Sequence, residues 1–294
     1  MKLRLEEPRL GTLRLEPQYG FRVSKLDLGF PASRAVSEDR VNANGVIDST
    51  ALYGARAVTI ALAVVGNSDG ETGGPATRRQ LLDRLRAFAS PARRPYLYVD
   101  DEDGSTERRL RLRGEQAGAP IEIPGYAETS LGWTAPDGIL EHGVEQVVTV
   151  TAVLPSEPGR IYPKSYPFSY PTVSSAGAKG VENIGTEPAA PIYRIFGPCV
   201  NPSIINPDTG DVLAFGGTGL TGTVTLAGSQ FIEVDVKNAT ATYNGDPAAS
   251  AYAGIDLTRS TFAWLAPGAN RLRFVTTSYE DGARVEVTYR SAWI

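Results

Sequence analysis

The sequence has very few residues of the kinds that build disulfides, metal sites and catalytic dyads. Among 294 residues there is one cysteine, Cys199, and one histidine, His142. A single cysteine excludes an internal disulfide and indicates assembly in a reducing compartment. A zinc site of the usual kind needs about four His, Cys or carboxylate ligands, which these two residues cannot supply. We therefore predict neither a metal nor a cofactor.

Long apolar runs and a strong net charge are also lacking. No run approaches the length of about 20 residues that spans a bilayer, so no membrane insertion is predicted. The opening MKLRLEEPRLG carries acidic residues and has no apolar core of the signal-peptide kind, so no export signal is expected. The formal charge of −4 favours neither nucleic acid nor an anionic membrane as a partner.

Turn-forming residues are abundant, with 31 glycines and 21 prolines scattered along the chain. Such scatter indicates many turns between short strands. In residues 181–294, strand-length apolar runs alternate with Pro-Asp-Thr-Gly, Asn-Gly and Pro-Gly turns, which is typical of a β-sandwich or jelly roll. The stretch FAWLAPGANRLRF, residues 262–274, predicts a strand, a tight turn at Pro267-Gly268 and a second strand.

The first half of the chain predicts strands and one helix. TRRQLLDRLRAF offers Thr77 as N-cap and places Leu81, Leu85 and Phe88 on one stripe, as in an amphipathic helix. The following RPYLYVDDEDGSTERRLRLRG predicts a hairpin with an acidic turn. The apolar run at residues 58–65 is typical of a strand covered on both faces, or of one covered by a partner chain.

A proline-, serine- and tyrosine-rich stretch divides the chain. It begins at residue 155 with PSEPGRIYPKSYPFSYP, and each of its prolines removes a backbone donor and disfavours regular structure. We therefore predict a first domain at residues 1–154, a connector at residues 155–174 and a β-sandwich domain at residues 175–294.

Motifs that carry chemistry are not apparent. His142 is interpreted as an exposed loop residue, and Cys199, which has no basic neighbour in sequence, as a buried inert thiol. The acidic run at residues 100–104 fails the EF-hand pattern, so a solvated hairpin tip is favoured. GGTGLTGTV lacks the lysine of a phosphate-binding loop. We predict no enzymatic activity; a cell-wall hydrolase using two carboxylates remains the least favoured hypothesis.

Three arginines alternate with leucines after the acidic turn. Arg109, Arg111 and Arg113 are expected on one face of a strand, as a candidate partner-facing surface. The competing interpretation is a polar face that is opposed by acidic residues of the same domain.

Three aromatic residues of the second half lie near predicted turns. Tyr243, Tyr252 and Trp264 are candidate glycan-stacking residues, while the alternative places them in the core or in an interface.

The order of these segments resembles a known family, the distal tail proteins (Dit) of long-tailed, non-contractile bacteriophages. The resemblance covers most of the chain. In the first half it rests on FRVSKLDLGFPASRAVSEDRVNANGVIDSTALYGARAVTIALAVVG, the helix and the hairpin. In the second half it rests on VENIGTEPAAPIYRIFG, INPDTGDVLAF, FIEVDVKNATATYNG, STFAWLAPGANRLRF and VEVTYRSAWI, in this order.

The resemblance implies a mainly β fold, with an N-terminal split β-barrel carrying one α-helix, followed by a C-terminal galectin-like β-sandwich. It also implies a structural virion protein at the distal end of the phage tail, assembled in the host cytoplasm. Six copies would form a ring that lines the DNA channel and connects the tail tube to the tail-tip hub. Expected partners are the tail tube, hub and tape-measure proteins, and in addition receptor-binding proteins or a host glycan.

Two roles are considered for the candidate residues, one from this resemblance and one from the positions of the aromatic residues. Arg109, Arg111 and Arg113 become candidate ring-interface residues. The alternative function is a carbohydrate-binding tail-tip module that contacts the host cell wall through Trp264, Tyr243 and Tyr252.

Overall fold

The chain divides into two compact units. The computed structural model describes residues 2–35, 37–39, 44, 46–48, 52–65, 78–100, 106–153, 178–217 and 222–294. The first unit comprises Met1–Gly143 with Trp293–Ile294, and the second comprises Val144–Ala292. The predicted connector at residues 155–174 and the acidic turn after Asp100 lie outside the described residues.

Among its described residues, the first unit contains one α-helix and many short strands. The helix is α1 (Arg78–Phe88), and a 3₁₀ turn covers Pro17–Tyr19. The strands are β1 (Leu3–Glu7), β2 (Gly11–Arg14), β3 (Phe21–Asp27), β4 (Ser33–Arg34), β5 (Ser37–Asp39), β6 (Val46–Asp48), β7 (Leu52–Tyr53), β8 (Arg56–Val64), β9 (Tyr96–Asp100), β10 (Glu107–Arg111), β11 (Arg113–Ala117), β12 (Ile121–Ile123), β13 (Tyr126–Ala135) and β14 (Leu140–His142).

The second unit is built from strands. They are β15 (Gln146–Val153), β16 (Ala178–Asn183), β17 (Ile192–Phe196), β18 (Cys199–Val200), β19 (Ser203–Ile205), β20 (Val212–Ala214), β21 (Thr225–Leu226), β22 (Phe231–Asp235), β23 (Thr240–Tyr243), β24 (Gly268–Val275), β25 (Ser278–Tyr279) and β26 (Arg284–Tyr289). A 3₁₀ turn covers Tyr252–Gly254, and the final strand, β27 (Ala292–Trp293), carries the chain back to the first unit.

Two sheets enclose the core of the first unit. One has the order β2-β1-β9-β10-β14-β27, and the other has the order β11-β13-β8-β3, with β12 also paired to β13. The inward side chains of both sheets form one apolar cluster that includes Leu5, Ile60, Leu97 and Trp133. Burial of this apolar area is the main stabilising term of the unit.

The helix completes this core, as its sequence pattern predicts. Leu81, Leu82, Leu85 and Phe88 are its buried residues, and they belong to the same apolar cluster. The indole N–H of Trp133 donates to the Phe88 carbonyl at 3.4 Å, which ties the C-terminal end of the helix to β13. The predicted N-cap, Thr77, lies outside the described residues.

Leu112 marks the point where the chain leaves one sheet and enters the other. Its side chain is buried, and its N–H donates to the Pro95 carbonyl at 2.8 Å. The preceding strand, β10, pairs with β9, whereas the following strand, β11, pairs with β13. Such a strand-to-strand corner is what splits a barrel into two sheets.

The second unit is a β-sandwich whose sheets share β15. Residues Gln146–Thr151 pair antiparallel with β26, and the last two residues of β15 pair in parallel with β24. The strand path is β20-β19-β24-β15-β26-β17-β22-β23, with β16 beside β24 and a small sheet β21-β18-β25. Tyr193, Phe215 and Phe274 are the largest side chains buried in this unit.

The interpretation of residues 58–65 as a strand covered on both faces is wrong for the protomer. In β8 the burial alternates, so Val58, Ile60, Leu62 and Val64 are inside while the residues between them are partly or fully exposed. The run looks almost continuously apolar because three of its four outward positions hold Ala61, Ala63 and Val65.

The strand predicted at the start of FAWLAPGANRLRF is also wrong. Phe262 and Ala263 both have left-handed backbone conformations, with φ of 62° and 42°, which no extended strand allows. Only Leu265 makes an isolated bridge, to Ala189. The second half of the prediction is correct, because β24 begins at Gly268.

The predicted domain limits and the compact units of the structure assign β15 to different parts of the chain. The sequence groups residues 146–153 with the first domain, whereas their pairing with β26 and β24 puts them in the second unit. In the described residues no helix is long and apolar enough to cross a membrane.

Candidate functional site

The three candidate arginines lie on two strands that belong to different sheets. Arg109 is half-buried and donates from Nε and Nη2 to Glu141 at 3.1 and 2.8 Å, and its guanidinium lies 4.6 Å from the Tyr96 ring centroid. Burial alone would lower the pKa of Arg109, but the bonds to Glu141 raise it. Arg111 is exposed, while Arg113 begins the next strand and pairs with Glu115 at 3.5 Å.

The structure thus gives partial support to the competing interpretation of these arginines. Arg109 and Arg113 face acidic residues of their own unit. Their predicted role at an interface stays a prediction, and Arg111 is the exposed member of the set.

Two of the candidate aromatic residues lie next to each other. Gly254 lies in the turn that begins at Tyr252. A Cβ atom added to Gly254 would lie 3.9 Å from the phenol oxygen of Tyr243. The Tyr252 ring stacks with that of Phe262 at a centroid distance of 6.4 Å. Tyr252 and Trp264 are each 40% exposed.

The outward face of the sheet β11-β13-β8-β3 is polar and lined by small side chains. On β8 it presents Ala57, Thr59, Ala61 and Ala63. The residues that pair with these four positions on the two neighbouring strands lie on the same outward face. They are Arg22, Lys25 and Asp27 on β3, and Glu128, Ser130, Gly132 and Thr134 on β13. Arg22 and Glu128 flank Ala63 on either side, and Lys25 pairs with Asp27 at 3.3 Å, so the face carries balanced charge.

Both edges of this sheet are open among the strands that the structure describes. At one edge β3 pairs with β8 alone, and at the other edge β11 and β12 pair with β13 alone. Each edge has a register shift, between Val23 and Lys25 and between Gly114 and Gln116. Such bulges are frequent at sheet edges and barrel rims.

Sequence reasoning missed Arg56 as a functional candidate. It opens β8 in phase with Val58 and Ile60, so its side chain lies on the buried side of the sheet, and it is only 2% exposed. Burial lowers the pKa of this guanidinium. A cation in register with core residues of an alternating strand is a sequence signal that could have found it.

Cys199 and His142 do not form a catalytic arrangement with the groups that surround them. The Cys199 thiol is buried and lies 3.9 Å from the Phe196 carbonyl oxygen, and burial raises the pKa of that thiol to about 11. The His142 ring is 6.1 Å from the Trp293 ring. In the part of the chain that is described, no group of three His, Cys, Asp or Glu residues could hold a metal ion.

The second half of the chain contains a segment that matches a known protein family. Residues 185–293 match the family described as the C-terminal domain of the siphovirus-type tail component. This part of the chain is similar to that family, and the predicted resemblance to the distal tail proteins is confirmed. The family consists of structural phage tail components and not of enzymes.

The fold of nearly the whole chain is similar to that of SPP1 Dit, a paradigm of the hub adsorption apparatus in phages that infect Gram-positive bacteria. The crystal structure of SPP1 Dit aligns with a TM-score of 0.60 and 13% identity, over 99% of each chain. Two structures of the phage p2 baseplate in its activated conformation, with Ca and with Sr, align with a TM-score of 0.47 and 11% identity, over 98% of this chain and 97% of theirs. A comparison with curated proteins gives no match.

The predicted fold class is confirmed by the likeness to SPP1 Dit. The described part of the chain is mainly β with one α-helix, and it has the fold of a distal tail protein. Together with the match of residues 185–293 to the tail-component family, this likeness supports a structural role in a phage tail.

Proposed function

We propose that six copies of this chain form a closed ring at the distal end of the tail. The ring joins the tail tube to the tail-tip hub, and its inner wall lines the DNA channel. In this arrangement the chain acts as the hub of an adsorption apparatus, which is the role for which SPP1 Dit is a paradigm. Its partners would be tail tube, hub and tape-measure proteins in the virion, with assembly in the host cytoplasm.

The observation that carries this proposal is the pair of open edges on one antiparallel sheet. Across the sheet there are four strand positions, β3, β8, β13 and the edge formed by β11 and β12, and every ladder between them is antiparallel. The two edges therefore run in opposite directions. A second copy, rotated about an axis parallel to the strands, can pair its β3 with the β11 edge of the first copy, and this new ladder is again antiparallel. Repeating the same contact from copy to copy closes a ring.

The outward face of this sheet supports a channel wall. Alanine, serine, threonine and glycine leave the lumen open, and the balanced charges of Arg22, Lys25, Asp27 and Glu128 give the wall little attraction for phosphate. A surface that conducts DNA without retaining it needs both properties.

A proline in β3 tests the ring. The Val65 N–H donates to the Gly20 carbonyl, so the backbone N–H and C=O of Gly20 point toward β8. In an antiparallel pair this direction alternates from residue to residue, so the backbone groups of Arg22 also point toward β8 and those of Val23 point away from it. Val23→Pro removes an outward N–H and blocks a neighbouring strand, and it leaves the contacts with β8 in place. We expect rings of six from the wild type by native mass spectrometry and negative-stain imaging, and folded monomers from Val23→Pro.

The matched control is Val23→Ala, which loses side-chain packing but keeps the N–H, and which should still form rings. A wild-type chain that stays monomeric with its tail partners present, or a Val23→Pro variant that forms rings as well as the alanine variant does, contradicts the proposal.

A second candidate function is glycan binding by the sandwich. The rings of Tyr252 and Phe262 stack, and Trp264, two residues after Phe262, is 40% exposed. Exposed aromatic rings are suited to the apolar face of a sugar. We expect Trp264→Ala to weaken binding to host cell-wall polysaccharide about tenfold, as measured by titration. Leu257→Ala, an exposed apolar control nearby in the chain, should leave it unchanged. Equal binding by all three proteins, or no binding by the wild type, rejects this function.

A further inference from the structure

Both open edges of the sheet β11-β13-β8-β3 carry an exposed pair of opposite charges, two residues apart. On β3 the Lys25 ammonium lies 3.3 Å from the Asp27 carboxylate, and on β11 the Arg113 guanidinium lies 3.5 Å from the Glu115 carboxylate. These four side chains are between 48% and 69% exposed. Glu115 also accepts a hydrogen bond from the Thr134 hydroxyl, so the pair on β11 lies on the same outward face of the sheet as the pair on β3.

The bulge in β3 changes the spacing of the backbone groups that this edge offers to a neighbour. In a regular antiparallel strand, the N–H and C=O groups of every second residue point away from the paired strand. The backbone groups of Val23 point away from β8, and the extra residue in the bulge before Lys25 delays the next such position to Leu26. The outward backbone positions are therefore three residues apart at this point of the edge.

The bulge in β11 produces the same spacing on the other edge. The Gly118 N–H donates to the Ser130 carbonyl at 2.8 Å, so the backbone groups of Gly118 point toward β13 and those of Ala117 point away from it. The register shift between Gly114 and Gln116 then places the next outward position at Gly114, again three residues away. Two edges with this spacing form an uninterrupted ladder when their bulges lie opposite each other.

We propose that β3 of one copy and β11 of a second copy pair in one register, which places Leu26 opposite Gly114. Val23 then lies opposite Ala117, so the two bulges coincide and the outward backbone groups of both edges find partners. This inference rests on the proposed ring and specifies the contact that closes it. The occupant of each edge is a second copy, because the two matching edges belong to the same chain.

The charges on the two edges favour the same register independently. Because the strands run antiparallel, this pairing places Lys25 opposite Glu115 and Asp27 opposite Arg113, so unlike charges meet at both positions. A shift of two residues in one direction would place Asp27 opposite Glu115, and a shift in the other direction would place Lys25 opposite Arg113. Both shifted registers oppose like charges, which destabilises a cross-strand pair.

Exchange of charge tests the register in solution. Lys25→Glu alone and Glu115→Lys alone each oppose like charges, so in sedimentation velocity at about 50 mM salt we expect half-assembly to need at least about threefold more protein than wild type. An equimolar mixture of the two variants, and the double variant Lys25→Glu/Glu115→Lys, should assemble like wild type, because unlike charges then meet at every contact of the ring. Lys179→Glu changes an exposed lysine of β16 in the second unit and controls for net charge. It should leave assembly unchanged.

Cysteine pairs measure the register directly. The backbone groups of Asp27 and Arg113 point into their own sheets, so in the proposed contact these residues form a non-hydrogen-bonded pair with Cα atoms about 4.5 Å apart, a distance that suits a disulfide. We expect Asp27→Cys/Arg113→Cys, once oxidised, to give a ladder of up to six linked chains on non-reducing denaturing gels. The matched variant Asp27→Cys/Glu115→Cys displaces one cysteine by two residues and should run as a single chain.

Each of the following results overturns the inference. Rings that form while the displaced cysteine pair crosslinks and the aligned pair does not would show a different register and leave the ring standing. Single charge reversals that assemble like wild type, or that neither the mixture nor the double variant rescues, would also refute the register alone. An equal loss of assembly in Lys179→Glu would mean that net charge governs assembly instead. A wild type that never forms rings with its tail partners present overturns the proposed function as well.

Discussion

Buried asparagines join the strands of the sandwich at points where the sequence suggests only turns. Asn270 accepts from Asn206 at 3.1 Å and from the Ala266 N–H at 3.0 Å, and its amide donates to the carbonyls of Ala266 and Gly268. Asn183 donates to the carbonyls of Glu187 and Leu265. Because each buried amide is satisfied, these residues specify the fold, in contrast to Arg56, whose Nε and Nη2 have no hydrogen-bond partner among the described residues.

The buried thiol of Cys199 makes a testable prediction at the scale of a single residue. With its pKa raised to about 11 by burial, only a very small fraction of the group is thiolate at neutral pH. We expect it to stay unlabelled by iodoacetamide in the native protein at pH 8 and to react at the rate of a free thiol after denaturation in guanidinium. Rapid labelling of the native protein, with circular dichroism that remains native, would contradict the buried placement.

Secondary-structure elements that depend on residues close together in the chain could be predicted from the sequence. The helix follows from the stripe of Leu81, Leu85 and Phe88, and the structure confirms it as Arg78–Phe88. The hairpin is confirmed by the antiparallel ladder between β9 and β10. Both depend on contacts between residues that are close in the chain, which is the information that periodicity carries.

Elements whose limits depend on distant partners could not be predicted. The left-handed Phe262 and Ala263 interrupt a stretch that looks like a strand, and the Ala263 carbonyl accepts from the buried Tyr193 hydroxyl at 2.5 Å, a contact 70 residues away. The same limitation applies to β10 and β11, where alternation of arginine and leucine continues although the chain changes sheets at Leu112. Periodicity shows which side chains share a face, but it does not show which sheet a strand joins.

The candidate sites were predictable only in part. Exposure of Trp264 and Tyr252 agrees with their positions near turns, but the stacking of Tyr252 on Phe262 depends on tertiary packing. The open edges of the sheet β11-β13-β8-β3 depend on strand order, which has no local signature. Arg56 did have one, because a charge in phase with Val58 and Ile60 conflicts with the pattern around it.

At the scale of the whole molecule, the chain ends in the unit where it began. β27 neighbours β14 in the sheet of the first unit, and Trp293 is 8% exposed within the core cluster of that unit. The Arg108 guanidinium lies 4.7 Å from its ring centroid. The final residues are therefore a structural part of the N-terminal unit, although nearly 150 residues of the sandwich separate them from it in sequence.

Trp293→Ala should therefore destabilise the first unit and leave the second intact. Loss of a buried tryptophan side chain costs about 3–5 kcal/mol, because it leaves a cavity and removes apolar contacts. In hydrogen-exchange mass spectrometry, we expect faster exchange in β10 and β14 and unchanged protection in β17 and β22. Trp264→Ala, which truncates an exposed tryptophan of the sandwich, should change the free energy of unfolding by no more than about 0.5 kcal/mol. Equal loss of protection in both units of Trp293→Ala would mean that they unfold as one cooperative body, and no loss in β10 would show that the last strand does not support the first unit.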